Sequence, residues 1–465
     1  MIRLAVTSDV HGEERNYRAL VHELKTKNYD LVLDNGDFFY GSPEAFYYEE
    51  NAIWPPILEL ADEVVTVAVP GNHDFTHSYE TFEKARRLAK FEWICANVSG
   101  FKPYTVRNVS GVKVVILGLT TSMVREWDET GQLRDLEISS PLGALRKWIS
   151  VIREEEQPDI LIVSYHGGFS KDPDSGVPFH GAPTENEALA IAEAFPDIDL
   201  LITGHQHLRI NSVVNGVKVI QPGSHATGYM DITINQSSEG YKVAAEFVSL
   251  STQRTTEPTL ADAWLDEVIA DVAVDERFSG MLEARLQKQP FHALIHDVFV
   301  KATVAELTVF EMPYLESGGF FGPVTRRDVL RHTPHKAPLH VIELTGRDVR
   351  SLLEQGAAVF AKHPETGAVC FATELPELAP APYVFDVWGG IDYAFDFSQP
   401  VGARLISCQV NGVDIQQGQV FRVAVNRYRL TGYDFPLYKT AKVLSVTERT
   451  IPHILLDALS GVSVT

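Results

Sequence analysis

Two residues near the start of the chain, Asp9 and His11, have the types and spacing to hold a metal ion. They close the apolar run "IRLAVTSD", and side chains two apart on an extended strand point to the same side. The same kind of residue closes the later apolar runs. "LVLDNGD" ends in Asp37, and "VVTVAVPGNHD" supplies Asn72, His73 and Asp74. "ILIVSYHGG" carries His166, and "DLLITGHQH" carries His205 and His207. One such residue alone is commonplace as a cap or a solvated turn, and Asp34 reads as turn support through main-chain hydrogen bonds. Repetition at successive run ends is what points to chemistry. Oxygen and imidazole donors without thiolate suit Mn²⁺, Zn²⁺, Fe or Co. Seven of them fit two ions about 3.5–4 Å apart if one carboxylate bridges. Such a pair can clamp a phosphate and lower the pKa of a water, which is the chemistry of phosphoester hydrolysis.

These residues need elements to position them. The apolar runs read as buried strands, and between them lie amphipathic stretches such as "NYRALVHELKTKNY" and "SYETFEKARRLAKF". This is an α/β alternation, and in a parallel sheet the loops after the strands share one edge. "GVKVIQPGSHATGYMDITIN" and "EGYKVAAEFVSL" read as closing strands, and the polar "STQRTTEPT" breaks the pattern. With 465 residues, two domains are expected, because single cores stop growing at roughly 250–300 residues. The expected division is 1–250, a linker over 251–264, and a smaller second domain over 265–465 of mixed helices and strands.

Composition narrows the function further. A net charge of −22 repels long polyanions, so a nucleic acid polymer is not an expected partner. Three widely spaced cysteines form neither a disulfide framework nor a thiolate zinc cluster. No apolar run reaches membrane-spanning length, so no membrane partner is expected. No leader pattern precedes the first strand, and the expected location is the cytoplasm, or outside it if a leader has been removed.

The order Asp9-x-His11, Gly36-Asp37, Gly71-Asn72-His73, His166 and Gly204-His205-x-His207 resembles the calcineurin-like metallophosphoesterases over roughly residues 1–250. The resemblance implies a four-layer α/β/β/α sandwich. It implies that Asp9, His11, Asp37 and His207 hold one divalent ion, and that Asp37, Asn72, His166 and His205 hold the second, with Asp37 shared. His73 would then face the leaving-group oxygen as general acid or transition-state stabiliser, and leaving-group protonation by a positioned histidine is typically worth about 10²–10⁴-fold.

In the second half, "LHVIELTGRDVRSLLE", "GGIDYAFDFSQPVGARL" and "VAVNRYRLTGYDFP" look like the 5′-nucleotidase group, with its C-terminal α+β substrate-binding domain. "YVFDVWGGIDYAFD" and "NRYRLTGYDFP" look closer to the 2′,3′-cyclic-nucleotide phosphodiesterase/3′-nucleotidases. The resemblance implies a small nucleotide substrate. Its base would stack near Phe435 and Tyr433, with Tyr438 nearby and His335 opposite. Arg429 is among the available cations. Each stack is worth about 1–3 kcal/mol. Two departures stand out. The group's "NGGGIR" stretch is replaced by "FEMPYLESGGFFGPVT", and Thr76 stands where a catalytic aspartate follows the "NH" histidine. Asp74 is then the candidate partner of His73. The rival readings are a metallophosphatase of non-nucleotide esters and a non-catalytic nucleotide-binding module.

Overall fold

In the computed structural model, residues 1–461 are described apart from 77–78, 129–131, 180–183, 239, 251–256, 274, 276, 278–279, 287–288, 312–318, 334–335, 373–384 and 434. The chain divides into two compact units, Met1–Gly176 with Gly181–Asp262, and Val177–His180 with Ala263–Thr465. The division falls within the expected linker. Part of that linker, 251–256, lies outside the described residues. Its far end is structured: Asp262–Leu265 is a helix, and Arg15 pairs with Asp262 at 2.7 Å.

The first unit is built on two six-stranded sheets. One holds Gly240–Ser249, Gly228–Ser237, Ile2–Thr7, Leu31–Asp34, Val67–Ala68 and Glu92–Trp93, in that order. The other holds Tyr104–Val109, Val112–Thr120, Ile160–His166, Leu200–Ile202, Val217–Pro222 and Arg209–Val214. Strand alternation makes the layers. Ile2, Leu4 and Val6 share a core with Val114, Ile116, Ile160 and Ile162 of the other sheet. Ala5, between them, faces outward into a second core with Tyr17, Leu20, Val21 and Leu24 of the helix Glu14–Thr26. On the far side, the helices Pro141–Val151 and Ala188–Ala194 bury Leu145, Ile149 and Ile191. This is the expected α/β/β/α sandwich. It differs from a simple parallel sheet in its antiparallel strands. The hairpin Gly228–Ser237/Gly240–Ser249 pairs antiparallel with Ile2–Thr7, so the closing strands complete the first sheet.

The inner strands are parallel: Thr7 pairs with Asp34, Asp34 with Ala68, and Thr120 with His166. Their carboxyl ends therefore emerge on one edge of each sheet. Asn35 ties the two edges together. Its amide oxygen accepts from Ser164 Oγ at 2.7 Å, and its amide nitrogen donates to the Tyr165 carbonyl at 3.2 Å.

The second unit centres on a mixed five-stranded sheet, ordered Asp386–Gly389, Leu307–Glu311, Val420–Asn426, Pro338–Thr345 and Lys442–Thr450. The "LTGRD" segment switches from strand to helix through a capping box. Thr345 Oγ1 accepts from the Asp348 amide, while the Asp348 carboxylate accepts from the Thr345 amide at 2.8 Å. Beside the sheet lies a buried ion pair. Arg429 donates to Asp386 Oδ1 at 2.7 Å from Nε and at 2.6 Å from its terminal nitrogen, and Tyr438 Oη donates to Asp386 Oδ2 at 3.1 Å. Removing one partner strands the other charge, which costs about 3–5 kcal/mol. Asp386→Ala is therefore expected to destabilise the second unit by that amount in a denaturant melt. A loss below 1 kcal/mol contradicts this.

Candidate metal centre

Most of the candidate ligands sit in loops whose backbone is forced. Asp9, His11, Asp37, His205 and His207 have φ of 54°, 55°, 56°, 71° and 60°. Non-glycine residues rarely adopt this left-handed region, and such strain persists only where the surroundings over-determine it. The surroundings here are close-packed. A Cβ on Gly71 would lie 2.2 Å from Asp37 Oδ1, and one on Gly204 would lie 2.4 Å from Ser8 Oγ. Asp34 holds its turn as expected, accepting from Thr7 Oγ1 at 2.7 Å and from the Gly36 amide at 3.1 Å.

The seven residues form two groups. In the first, the donor atoms of Asp9, His11 and His207 lie within 4.8 Å of one another. His207 Nε2 is 3.5 Å from Asp9 Oδ1 and 2.9 Å from His11 Nε2. In the second, Asp37, His166 and His205 meet the same limit. Asn72 joins them through Oδ1, 3.2 Å from His166 Nε2 and 2.9 Å from His205 Nδ1. Asp37 Oδ2 is 3.2 Å from His166 Nε2.

Outer contacts orient the rings. His11 Nδ1–H donates to the Tyr40 carbonyl and His166 Nδ1–H to the Asn35 carbonyl, both at 2.6 Å. A carbonyl only accepts, so each Nε2 turns a lone pair into the site when the ring is neutral. Burial drives His11 down to about 3 and His207 well below its ordinary value, so both are neutral donors. Burial pushes Asp9 up to about 7. For His166 burial acts downward, but the adjacent Asp37 outweighs it and raises the ring to about 10. Asp37 is correspondingly held well below the carboxylate range: His166 and then His73 outweigh its burial. His11 and His207 thus face the buried carboxylates as neutral imidazoles, while His166 is paired as a cation with Asp37 and gives up that proton when a divalent cation takes its place; such nitrogen and oxygen donors fit divalent cations.

His73 stands at the rim of the first group. Its amide donates to Asp37 Oδ1 at 2.7 Å, and its ring lies 5.3 Å from that of His11. Asp74 is a correction. Its carboxylate accepts four main-chain amides, those of Asp37 and Gly71 on Oδ2 at 2.9 Å, and those of Phe38 at 2.9 Å and Phe39 at 3.3 Å on Oδ1. It clamps the "GNHD" loop onto the "DNGD" loop rather than serving the His73 ring.

The expected substrate residues divide. Arg429 and Phe435 are corrected: the guanidinium is taken by Asp386, and the Phe435 ring is 3% exposed in the core beside Tyr438. Tyr433 is partly exposed, and His335 lies outside the described residues. Three residues near the metal groups were missed. His225 (φ 56°) donates its amide to the Asp9 carbonyl at 2.7 Å, with its ring 5.3 Å from His11 and 5.4 Å from His207. It follows the strand Val217–Pro222, so the strand-end rule could have found it. Glu185 and Trp127 touch His205, and no spacing signals them.

Residues 2–209 match the calcineurin-like phosphoesterase family, and residues 268–441 match the family of the 5′-nucleotidase C-terminal domain. The chain is 23% identical to the trifunctional nucleotide phosphoesterase of Bacillus subtilis, over 92% of this chain but 34% of that one. It is also 23% identical to the 2′,3′-cyclic-nucleotide 2′-phosphodiesterase/3′-nucleotidase of Salmonella typhimurium, over 93% of this chain and 82% of that one. Its fold matches a Staphylococcus aureus chain assigned to the 5′-nucleotidases and crystallised with alpha-ketoglutarate, with a TM-score of 0.87, 24% identity and coverage of 100% and 97%. The expected cytoplasmic location is corrected. Among the nucleotidases similar to this chain is a 5′-nucleotidase precursor of Thermus thermophilus, and none of them points to the cytoplasm. With the sandwich in place, the chain carries a calcineurin-like phosphoesterase domain over residues 2–209 and a 5′-nucleotidase C-terminal domain over residues 268–441.

Proposed function

We propose that the chain hydrolyses phosphate esters of nucleotides at a two-metal centre. The observation that carries this reading is the pair of nitrogen–oxygen groups side by side, with His73 at their rim. Asp9, His11 and His207 would hold one divalent ion, and Asn72, His166 and His205 the other, with Asp37 available to both. When bound, such ions neutralise phosphoryl oxygens and make a nucleophile of water near neutral pH. The protein's own residues do the rest. Asp74 fixes the loop that presents His73, and His73 protonates or hydrogen-bonds the departing oxygen. The C-terminal domain offers Tyr433 as a partly exposed aromatic face for a base.

A second reading, a phosphatase of non-nucleotide esters, is favoured by one observation: Arg429 and Phe435 are committed to the core of the second unit. Phosphate release in the presence of Mn²⁺ separates the two. The panel is 5′-AMP, 3′-AMP, 2′,3′-cyclic AMP with added phosphatase, UDP-glucose and p-nitrophenyl phosphate. Turnover of a nucleotide in preference to p-nitrophenyl phosphate is expected, and activity on p-nitrophenyl phosphate alone moves the assignment to the second reading. His73→Ala is expected to lower kcat about 10²–10⁴-fold while leaving metal content unchanged. Loss of metal in that variant would place His73 among the ligands.

A further inference from the structure

His205 is turned the opposite way from His166. His166 offers Nε2 to Asp37 and Asn72 because its Nδ1–H is committed to a carbonyl. His205 instead places Nδ1 2.9 Å from Asn72 Oδ1, with Nε2 2.8 Å from Glu185 Oε1. An ionised carboxylate only accepts, so it claims the Nε2 proton and leaves the Nδ1 lone pair for the site. The indole of Trp127 lies along the same imidazole, with centroids 5.5 Å apart and planes 25° apart.

Glu185 is itself held in place. Its carbonyl accepts from Tyr165 Oη at 2.9 Å, and the next residue, Asn186, accepts from the Gly168 amide at 3.0 Å. Tyr165 and Gly168 flank His166 and Gly167. The loop that carries Glu185 is therefore pinned to the strand end that supplies His166, and the two imidazoles of the second group are oriented from a common base.

We infer that Glu185 is a positioning residue for the second ion, selecting Nδ1 of His205 as the donor atom. The inference rests on the two-metal reading. A carboxylate behind a ligating imidazole fixes its tautomer and raises its basicity, and losing it typically costs about 10–100-fold in metal affinity.

The test is metal content of the dialysed full chain by mass spectrometry, with Mn²⁺ and Zn²⁺ affinities by titration calorimetry. Wild type is expected to hold two ions. Glu185→Ala is expected to weaken one of them about 10–100-fold and to leave the other unchanged. Glu185→Gln, whose amide oxygen still accepts from Nε2–H, recovers most of the loss, whereas the similarly sized Glu185→Met does not. The Gln/Met pair decides the matter if the alanine variant fails to fold. Equal affinities in the Gln and Met variants, or two ions held at wild-type affinity by Glu185→Ala, overturn the role of Glu185. Fewer than two ions in wild type overturn the two-metal reading itself, and the inference with it.

Discussion

The first unit depends on one costly arrangement: carboxylates and imidazoles gathered in a buried place. Asp9 and His166 are fully buried, and Asp37 is 1% exposed. Burying such groups is tolerable only where each is paired, hydrogen-bonded or bound to metal. The hydrogen bonds are visible. Ser8 Oγ donates to Asp9 at 2.5 Å, the His205 amide donates to the same carboxylate at 3.0 Å, and the His73 amide donates to Asp37. What they leave over is a set of lone pairs converging from two directions, which a divalent cation satisfies and an apolar core cannot.

That convergence is assembled from distant parts of the chain by parallel strands of two sheets. Each inner strand delivers its loop to the same edge, and the loops are then locked to one another. Asp74 joins the second and third ligand loops of the first sheet, and Asn35 joins the first sheet to the second. The left-handed backbone at Asp9, His11, Asp37, His205 and His207 is held against its local preference by this network. The strain is the counterpart of aiming side chains from loops that turn sharply off a strand.

The candidate metal centre was legible because its signal is local. Each candidate ligand closes an apolar run, and a strand end plus a chelating residue can be read from a dozen residues. The sandwich itself required the family resemblance, since nothing in the runs says that two sheets, rather than one, carry them. Asp74 was misread because sequence neighbours suggest side-chain partners, whereas its carboxylate reaches main-chain amides of a loop some 36 residues away. Glu185 and Trp127 were invisible for a related reason, as their relation to His205 exists only in three dimensions. In the second unit, Arg429 and Phe435 carry the residue types of a binding site, yet burial assigns them to the core. Residue type cannot distinguish a cation facing a ligand from one facing a buried aspartate such as Asp386.

Anomalous diffraction from crystals grown with Mn²⁺ tests the two-ion centre most directly. Two peaks about 3.5–4 Å apart are expected, one against Asp9, His11 and His207, the other against Asn72, His166 and His205, with Asp37 touching both. A single peak, or peaks away from these side chains, would contradict it.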